Sequence, residues 1–328
     1  MADAACRSLT LGIDLGTSAV KLLALDERGV VLAMAAAEFP TFSDLPGEAE
    51  QEPADWAGAL ARAGAALERT LASRDSAWRD AVAAIGLCGQ LPTLVCLGAD
   101  EVLGRAISWK DARADVWAAT HLDGATRQAL YRQTGMPIDG RYLGPMFRCH
   151  FHDRAAVATV LSAKDYLCYL LTGERVTDPS TAAGYGAFDL ATGVFDAALA
   201  ARFGLPPAAL PAIRPAHALA GPLTAAGARL LGLRAGIPVT VGSADSVASA
   251  FAMCGLQTGV VCITMGSSTV ILDAVRERAL DTAVRYLLTP HVVAGWYGRE
   301  MDLLATGTGH ARTAPISRHV VGMTCIKP

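Results

Sequence analysis

The sequence predicts an α/β fold in two domains, on three observations. Period-two apolar runs at 8–14, 19–25 and 30–37 read as an antiparallel meander opening the chain. β-runs and amphipathic helical runs then alternate, the pattern of a sheet layered with helices rather than of a bundle or sandwich. The opening strand–turn–strand at residue 11 returns at residue 262, so each half of the chain starts on the same device. A length of 328 residues suits two domains, and 52% hydrophobic against 18% charged residues implies a large, alanine-rich core.

The elements follow in order. Asp26-Glu27-Arg28-Gly29 turns the second run into the third. Pro53, with Glu50-Gln51-Glu52 just before it, starts a helix whose apolar spacing runs through Trp56, Leu60, Ala63 and Leu67. Buried strands are expected at 81–87 and 93–97, with Gly98-Ala99-Asp100 turning the chain. Helices are expected at 112–131, 163–171 and 196–203, and Pro206-Pro207 and Pro211 punctuate a loop-rich stretch. A strand at 238–242 and a helix at 244–253 close the first domain, and the second begins near Thr258.

Composition narrows the function classes. A net charge of −3 leaves no polybasic footprint, which argues against a nucleic-acid partner. The eight cysteines stand singly with no Cys-x-x-Cys pair, as in a reducing cytosol. The window 247–265 carries Gly255, Gln257 and Gly259 and reads as helix, turn and strand rather than a membrane span. No signal peptide is read at the N-terminus. The expectation is a soluble cytoplasmic protein with no membrane partner; a homodimer is admissible.

The chemistry sits in the turns. Leu11-Gly12-Ile13-Asp14-Leu15-Gly16-Thr17-Ser18 places a carboxylate at a strand end, then a Gly/Thr/Ser turn. Such a turn can cradle phosphate oxygens, and Asp14 can hold a hydrated Mg²⁺. By itself the same stretch is an ordinary hairpin signal. Cys262-Ile263-Thr264-Met265-Gly266-Ser267-Ser268-Thr269-Val270 repeats the design. Asp245 follows an apolar strand in the first turn of a helix, where an acid either serves the helix dipole or does chemistry. Lys21 is either a solvated side chain or a cation near phosphates.

The two hairpins resemble the paired phosphate loops of the actin-like ATPase superfamily. The residues between them narrow the resemblance to the FGGY carbohydrate kinases, with xylulokinases the nearest members. Gly86-Leu87-Cys88-Gly89-Gln90 stands where the family has Gly-x-x-Gly-Gln, and Ile107-Ser108-Trp109-Lys110-Asp111-Ala112-Arg113 is similar to its Trp-Asn-Asp-x-Arg. Ser162-Ala163-Lys164-Asp165-Tyr166-Leu167, Leu171-Thr172-Gly173-Glu174 and Thr177-Asp178-Pro179-Ser180-Thr181-Ala182 follow in the family's order, and Val241-Gly242-Ser243-Ala244-Asp245 ends on its catalytic aspartate position. The resemblance implies a ribonuclease H-like/actin-like ATPase fold with an incomplete second domain. Its domains would be 8–254, 257–311 and a non-homologous tail at 312–328.

The resemblance also implies ATP-dependent phosphorylation of a sugar hydroxyl, with ATP and Mg²⁺ as cofactors and a small sugar as partner. Asp245 would be the general base. Asp14 would organise the metal. Gly16, Thr17, Ser18 and Lys21, facing Gly266, Ser267 and Ser268, would hold the phosphates. Gln90, Leu91, Trp109 and Asp111, with Asp245, would meet the sugar, although a core tryptophan and a turn amide are the plain alternatives. The chain departs from xylulokinases at Leu91-Pro92, where they carry Met-His, and at Lys110 for Asn. A ketopentose such as D-xylulose is therefore expected, with a related polyol open. After Ala311 the chain lacks helical period and the family's adenosine segment is missing, so a truncated remnant that binds without turnover is the competing reading. An actin-like chaperone or filament ATPase fits the Trp109/Asp111 motif less well. Cys149-His150-Phe151-His152 reads as solvent-facing or packing residues rather than zinc ligands, and Thr306-Gly307-Thr308-Gly309 as a helix start rather than a phosphate loop.

Overall fold

The computed structural model describes residues 8–99, 101–153, 156–265 and 268–303, and the backbone of 323–326. Strand alternation builds the first sheet. In β1 (Leu9–Leu15) Leu9, Leu11, Ile13 and Leu15 are buried, which turns Thr10, Gly12 and Asp14 to the other face. β2 (Ala19–Asp26) pairs antiparallel with β1, and β3 (Val31–Glu38) antiparallel with β2, the meander the sequence predicts. α1 (Pro53–Ala72) starts on its proline and buries Trp56, Leu60, Ala63 and Leu67 against β2 and β3. Each such aliphatic or aromatic side chain stabilises the fold by about 1.5–3 kcal/mol.

β4 (Val82–Gly89) runs parallel to β1. β5 (Leu94–Leu97) leaves that sheet to pair with β6 (Thr159–Ser162) in a smaller one. The helical stretch expected over 112–131 consists of two helices, α2 (Arg113–His121) and α3 (Gly124–Thr134). The break has a local cause: the Asp123 side chain accepts the Thr126 N–H at 2.7 Å and caps a new helix. α4 (Ala163–Thr172) and α5 (Pro179–Ala183) follow, and β7 (Leu219–Pro222) and β8 (Pro238–Thr240) complete the sheet in the order β7-β8-β4-β1-β2-β3. The strand expected over 238–242 stops at Thr240. Gly242 turns at φ +79 into β9 (Ser243–Ala244), which pairs with the end of β4, and α6 (Asp245–Cys254) begins at once.

A second sheet follows. β10 (Val261–Met265) and β11 (Thr269–Val275) form an antiparallel hairpin closed by Met265 opposite Thr269. β12 (Leu287–Pro290), β13 (Tyr297–Leu303) and the backbone of β14 (Met323–Ile326) extend it in the order β12-β13-β11-β10-β14. Thr306 to Gly309, and all of the 312–328 tail except β14, lie outside the described residues. α6 joins the sheets: Ala244, Val247, Ala250 and Cys254 share one apolar cluster with Val260, Cys262 and Leu272. Among the described residues no helix is long and apolar enough to cross a membrane.

Candidate active site

Three strand ends converge. Asp14 in β1 lies opposite Cys88 in β4, and Cys88 opposite Ser243 in β9; one step further Leu15, Gly89 and Ala244 align. At about 4.8 Å per strand step, α6 starts about 10 Å from the end of β1. Asp14 and Asp245 therefore share one edge of the sheet, the carboxyl end of its parallel strands, where open α/β sheets bind ligands. The approach is close. A Cβ at Gly89 would stand 3.0 Å from the Leu15 carbonyl oxygen and 3.3 Å from Lys164 Cβ, and one at Gly242 would collide with the Leu87 carbonyl.

Lys21 Nζ donates to Asp14 Oδ2 at 3.1 Å and the Cys88 thiol to Oδ1 at 3.7 Å. Burial alone would lower the Lys21 ammonium, but Asp14, helped by Asp245, outweighs it and raises it. Burial, with Asp14 and Asp245 on either side, pushes the Cys88 thiol well up, so it stays protonated. In the turn, Gly16 N–H donates to the Ala19 carbonyl at 3.0 Å. Thr17 is clamped: its carbonyl accepts Gln51 Nε2 at 2.7 Å, and its hydroxyl oxygen accepts the Trp109 indole N–H at 3.1 Å. That leaves the Thr17 proton to donate elsewhere. Ser18 is exposed beside it. Ser268 sits at the end of the β10–β11 hairpin, whereas Gly266 and Ser267 lie outside the described residues.

Asp245 has a strongly perturbed carboxyl. Burial, then the charge of Asp14, raises it to about 7, against the Ser246 N–H and Lys21, which pull it down. A carboxyl poised there is half ionised at neutral pH, the condition for accepting a proton in a reaction. Residues just before it are anchored by a fully buried network. Lys164 Nζ lies 2.8 Å from Asp165 Oδ1 and 3.1 Å from Asp178 Oδ1, and donates to the Val241 carbonyl at 3.1 Å. Burial would lower this ammonium, but the two carboxylates raise it. Asp178 Oδ2 accepts the N–H and hydroxyl of Ser180, whose oxygen in turn accepts the Ala244 N–H at 3.0 Å.

Of the sugar-motif residues, Gln90 is 1% exposed and donates to Gln51 Oε1 at 2.9 Å, while its own Oε1 is buried without a protein partner. Asp111 is equally buried, its oxygens taken by the Ala49 N–H at 2.9 Å and by Arg113, which also pairs with Glu50 at 2.6 Å. Leu91 packs on the Ala244 cluster, and Trp109 is half-buried with the Lys110 ammonium 5.3 Å from its ring centre. So the structure gathers Thr17, Trp109 and Gln90 into one network through Gln51, a residue with no signal in the local sequence, while Asp14 is held separately by Lys21 and Cys88. Lys164, Asp178 and Ser180 were visible only as an ordered fingerprint. Cys149 and His150 close the helix Leu143–His150, and His152 pairs with Asp153 at 2.8 Å. Among the described residues no group of three or more His, Cys, Asp or Glu could hold a metal.

Comparison with known proteins adds a second line. Residues 9–252 match the model of the FGGY family of carbohydrate kinases, N-terminal domain. An apulose kinase from Pectobacterium atrosepticum is 27% identical over 321 residues, covering 92% of this chain and 62% of that protein. A xylulose kinase from Escherichia coli is 29% identical over 264 residues, covering 79% of this chain and 53% of that one. The crystal structure of xylulose kinase from Rhodospirillum rubrum superposes with a TM-score of 0.85 at 32% identity, over 93% of this chain and 62% of that chain. The chain thus spans between 53% and 62% of the length of these proteins.

Proposed function

The chain belongs to the FGGY family of carbohydrate kinases and has their ribonuclease H-like/actin-like ATPase fold, and from that premise we propose that it phosphorylates a sugar hydroxyl from ATP. The observation that carries the proposal is the pair of carboxylates on one sheet edge, with Asp245 raised to about 7. Phosphoryl transfer asks mainly for alignment and charge neutralisation. Asp245 accepts a hydrogen bond from the attacking hydroxyl and takes its proton as the new P–O bond forms and the bond to ADP breaks. Thr17 and Ser18 donate to phosphate oxygens, Lys21 adds a positive charge, and Ser268 at the end of the second hairpin would add a further hydroxyl. The first lobe, 8–254, and the second sheet would close on the substrates and exclude water.

Mg²⁺ fits this site, because a hydrated magnesium takes oxygen donors from one or two carboxylates and Asp14 presents such oxygens beside the phosphate turn. Asp14 would hold it, and the ion would supply charge neutralisation on the phosphates. The sugar lies against Leu91 and Trp109. Gln90 and Asp111, both buried, shape that wall through Gln51, Ala49 and Arg113. We place the substrate among ketopentoses such as D-xylulose, in keeping with the relatives named for xylulose and apulose.

ADP release from Mg·ATP with a ketopentose panel led by D-xylulose tests this, beside Asp245→Ala. Sugar-dependent ADP release that the variant loses supports the kinase. Sugar binding by calorimetry with no ADP release would overturn turnover by this chain and leave a sugar-binding protein in its place.

A further inference from the structure

Glu300 is a carboxylic acid where the pattern of β13 calls for an apolar side chain. Gly298 and Glu300 face inward along this strand, while Arg299 and Met301 face out. Glu300 is 6% exposed, and its Oε2 accepts the Ser246 hydroxyl at 3.2 Å and the Thr289 hydroxyl at 3.3 Å. Those two hydroxyls are themselves buried, so the three residues form a closed polar knot between α6 and the second sheet. Ser246 is the residue after Asp245, in the first turn of α6. Burying an acid at a sheet–helix contact costs stability that a leucine there would not, so the knot calls for a functional reason.

We propose that Glu300 is a positioning residue for Asp245: through Ser246 it ties the first turn of α6 to the second sheet and so aims the Asp245 carboxyl. The inference rests on the reading of Asp245 as the base. The groups facing Glu300 are Asp302 on its own strand, Asp245 from α6 and the Tyr142 phenol, with Ser246 and Thr289 as its hydrogen-bond donors. Burial, then Asp302 and Asp245, holds Glu300 up to about 8, so at neutral pH it is mostly the uncharged acid. Glutamine reproduces that species in shape and charge. Alanine does not: it strands two buried hydroxyls and frees the turn.

The experiment is a carbon-13 NMR titration of aspartate carboxyls in the full chain, with Asp245→Asn marking the Asp245 signal. It is repeated in Glu300→Gln, Glu300→Ala and Ser246→Ala. Glu300→Ala and Ser246→Ala should let water reach Asp245 and weaken its proton affinity by about tenfold or more, while Glu300→Gln stays with the parent. In the ADP-release assay Glu300→Ala and Ser246→Ala should lose between about tenfold and 100-fold in kcat with KM unmoved, and Glu300→Gln should recover most of it. An Asp245 titration unchanged in both Glu300→Ala and Ser246→Ala overturns the proposal. Should Glu300→Ala not fold, Ser246→Ala, which deletes one hydroxyl, decides alone. The titration needs no turnover, so an inactive parent chain would remove the kinase reading and leave this test standing.

Discussion

Asp245 holds its proton in the fold up to about 7, whereas an aspartate in an unfolded chain gives it up near ~3.9. Between those values unfolding releases a proton, so stability falls as pH rises through the window and stays lower above it. Asparagine cannot ionise. Asp245→Asn should therefore melt higher than the parent at pH 8 and level with it at pH 4, which thermal scans at both pH values will show. The same variant should lose about 10²–10⁴ in turnover. A variant that gains stability and keeps its turnover would remove Asp245 from the chemistry. Gly242 carries a different constraint, because it turns at φ +79 with the Leu87 carbonyl where a Cβ would go. Gly242→Ala should cost on the order of 3 kcal/mol in urea unfolding, through strain and collision together.

At the scale of elements, the buried Lys164 network holds α4, α5 and the crossover into α6 in register. Lys164→Met leaves two buried carboxylates unpaired and should destabilise by about 3–5 kcal/mol. Ser180→Ala removes the hydroxyl's bonds to Asp178 Oδ2 and the Ala244 N–H but leaves the Lys164 ion pairs, and should cost about 2 kcal/mol; equilibrium unfolding of both variants checks the contrast. The meander, α1 and β4 were legible in the sequence because period two and period 3.6 are local. The break between α2 and α3 was not legible within the helical stretch 112–131, because the Asp123 capping bond shows only in the coordinates. The individual site residues were legible as motifs, but their partners were not. Trp109 meets Thr17 across 92 residues and Ser246 meets Glu300 across 54, and no periodicity encodes such pairs.

For the whole molecule, the proposed site between the two sheets would make ligands into stabilisers. A sugar or nucleotide at 100 times its dissociation constant should add about 2.7 kcal/mol to the folded state, so thermal shift with each ligand and with both reports assembly of the site. Asp245→Ala should keep the nucleotide shift while losing turnover. The burial of Lys164 has one more consequence, for chemical modification. The chain has four lysines: Lys21, Lys110, Lys164 and Lys327. Lys164 is 0% exposed, held by Asp165, Asp178 and the Val241 carbonyl. An amine-reactive ester cannot acylate it until the core opens, so its labelling rate measures that opening. Lys21, whose side chain is 57% exposed, should label in the free protein and be shielded if a nucleotide binds at the proposed phosphate turn. A single peptide mass spectrum can then report occupancy at one lysine and integrity of the fold at another.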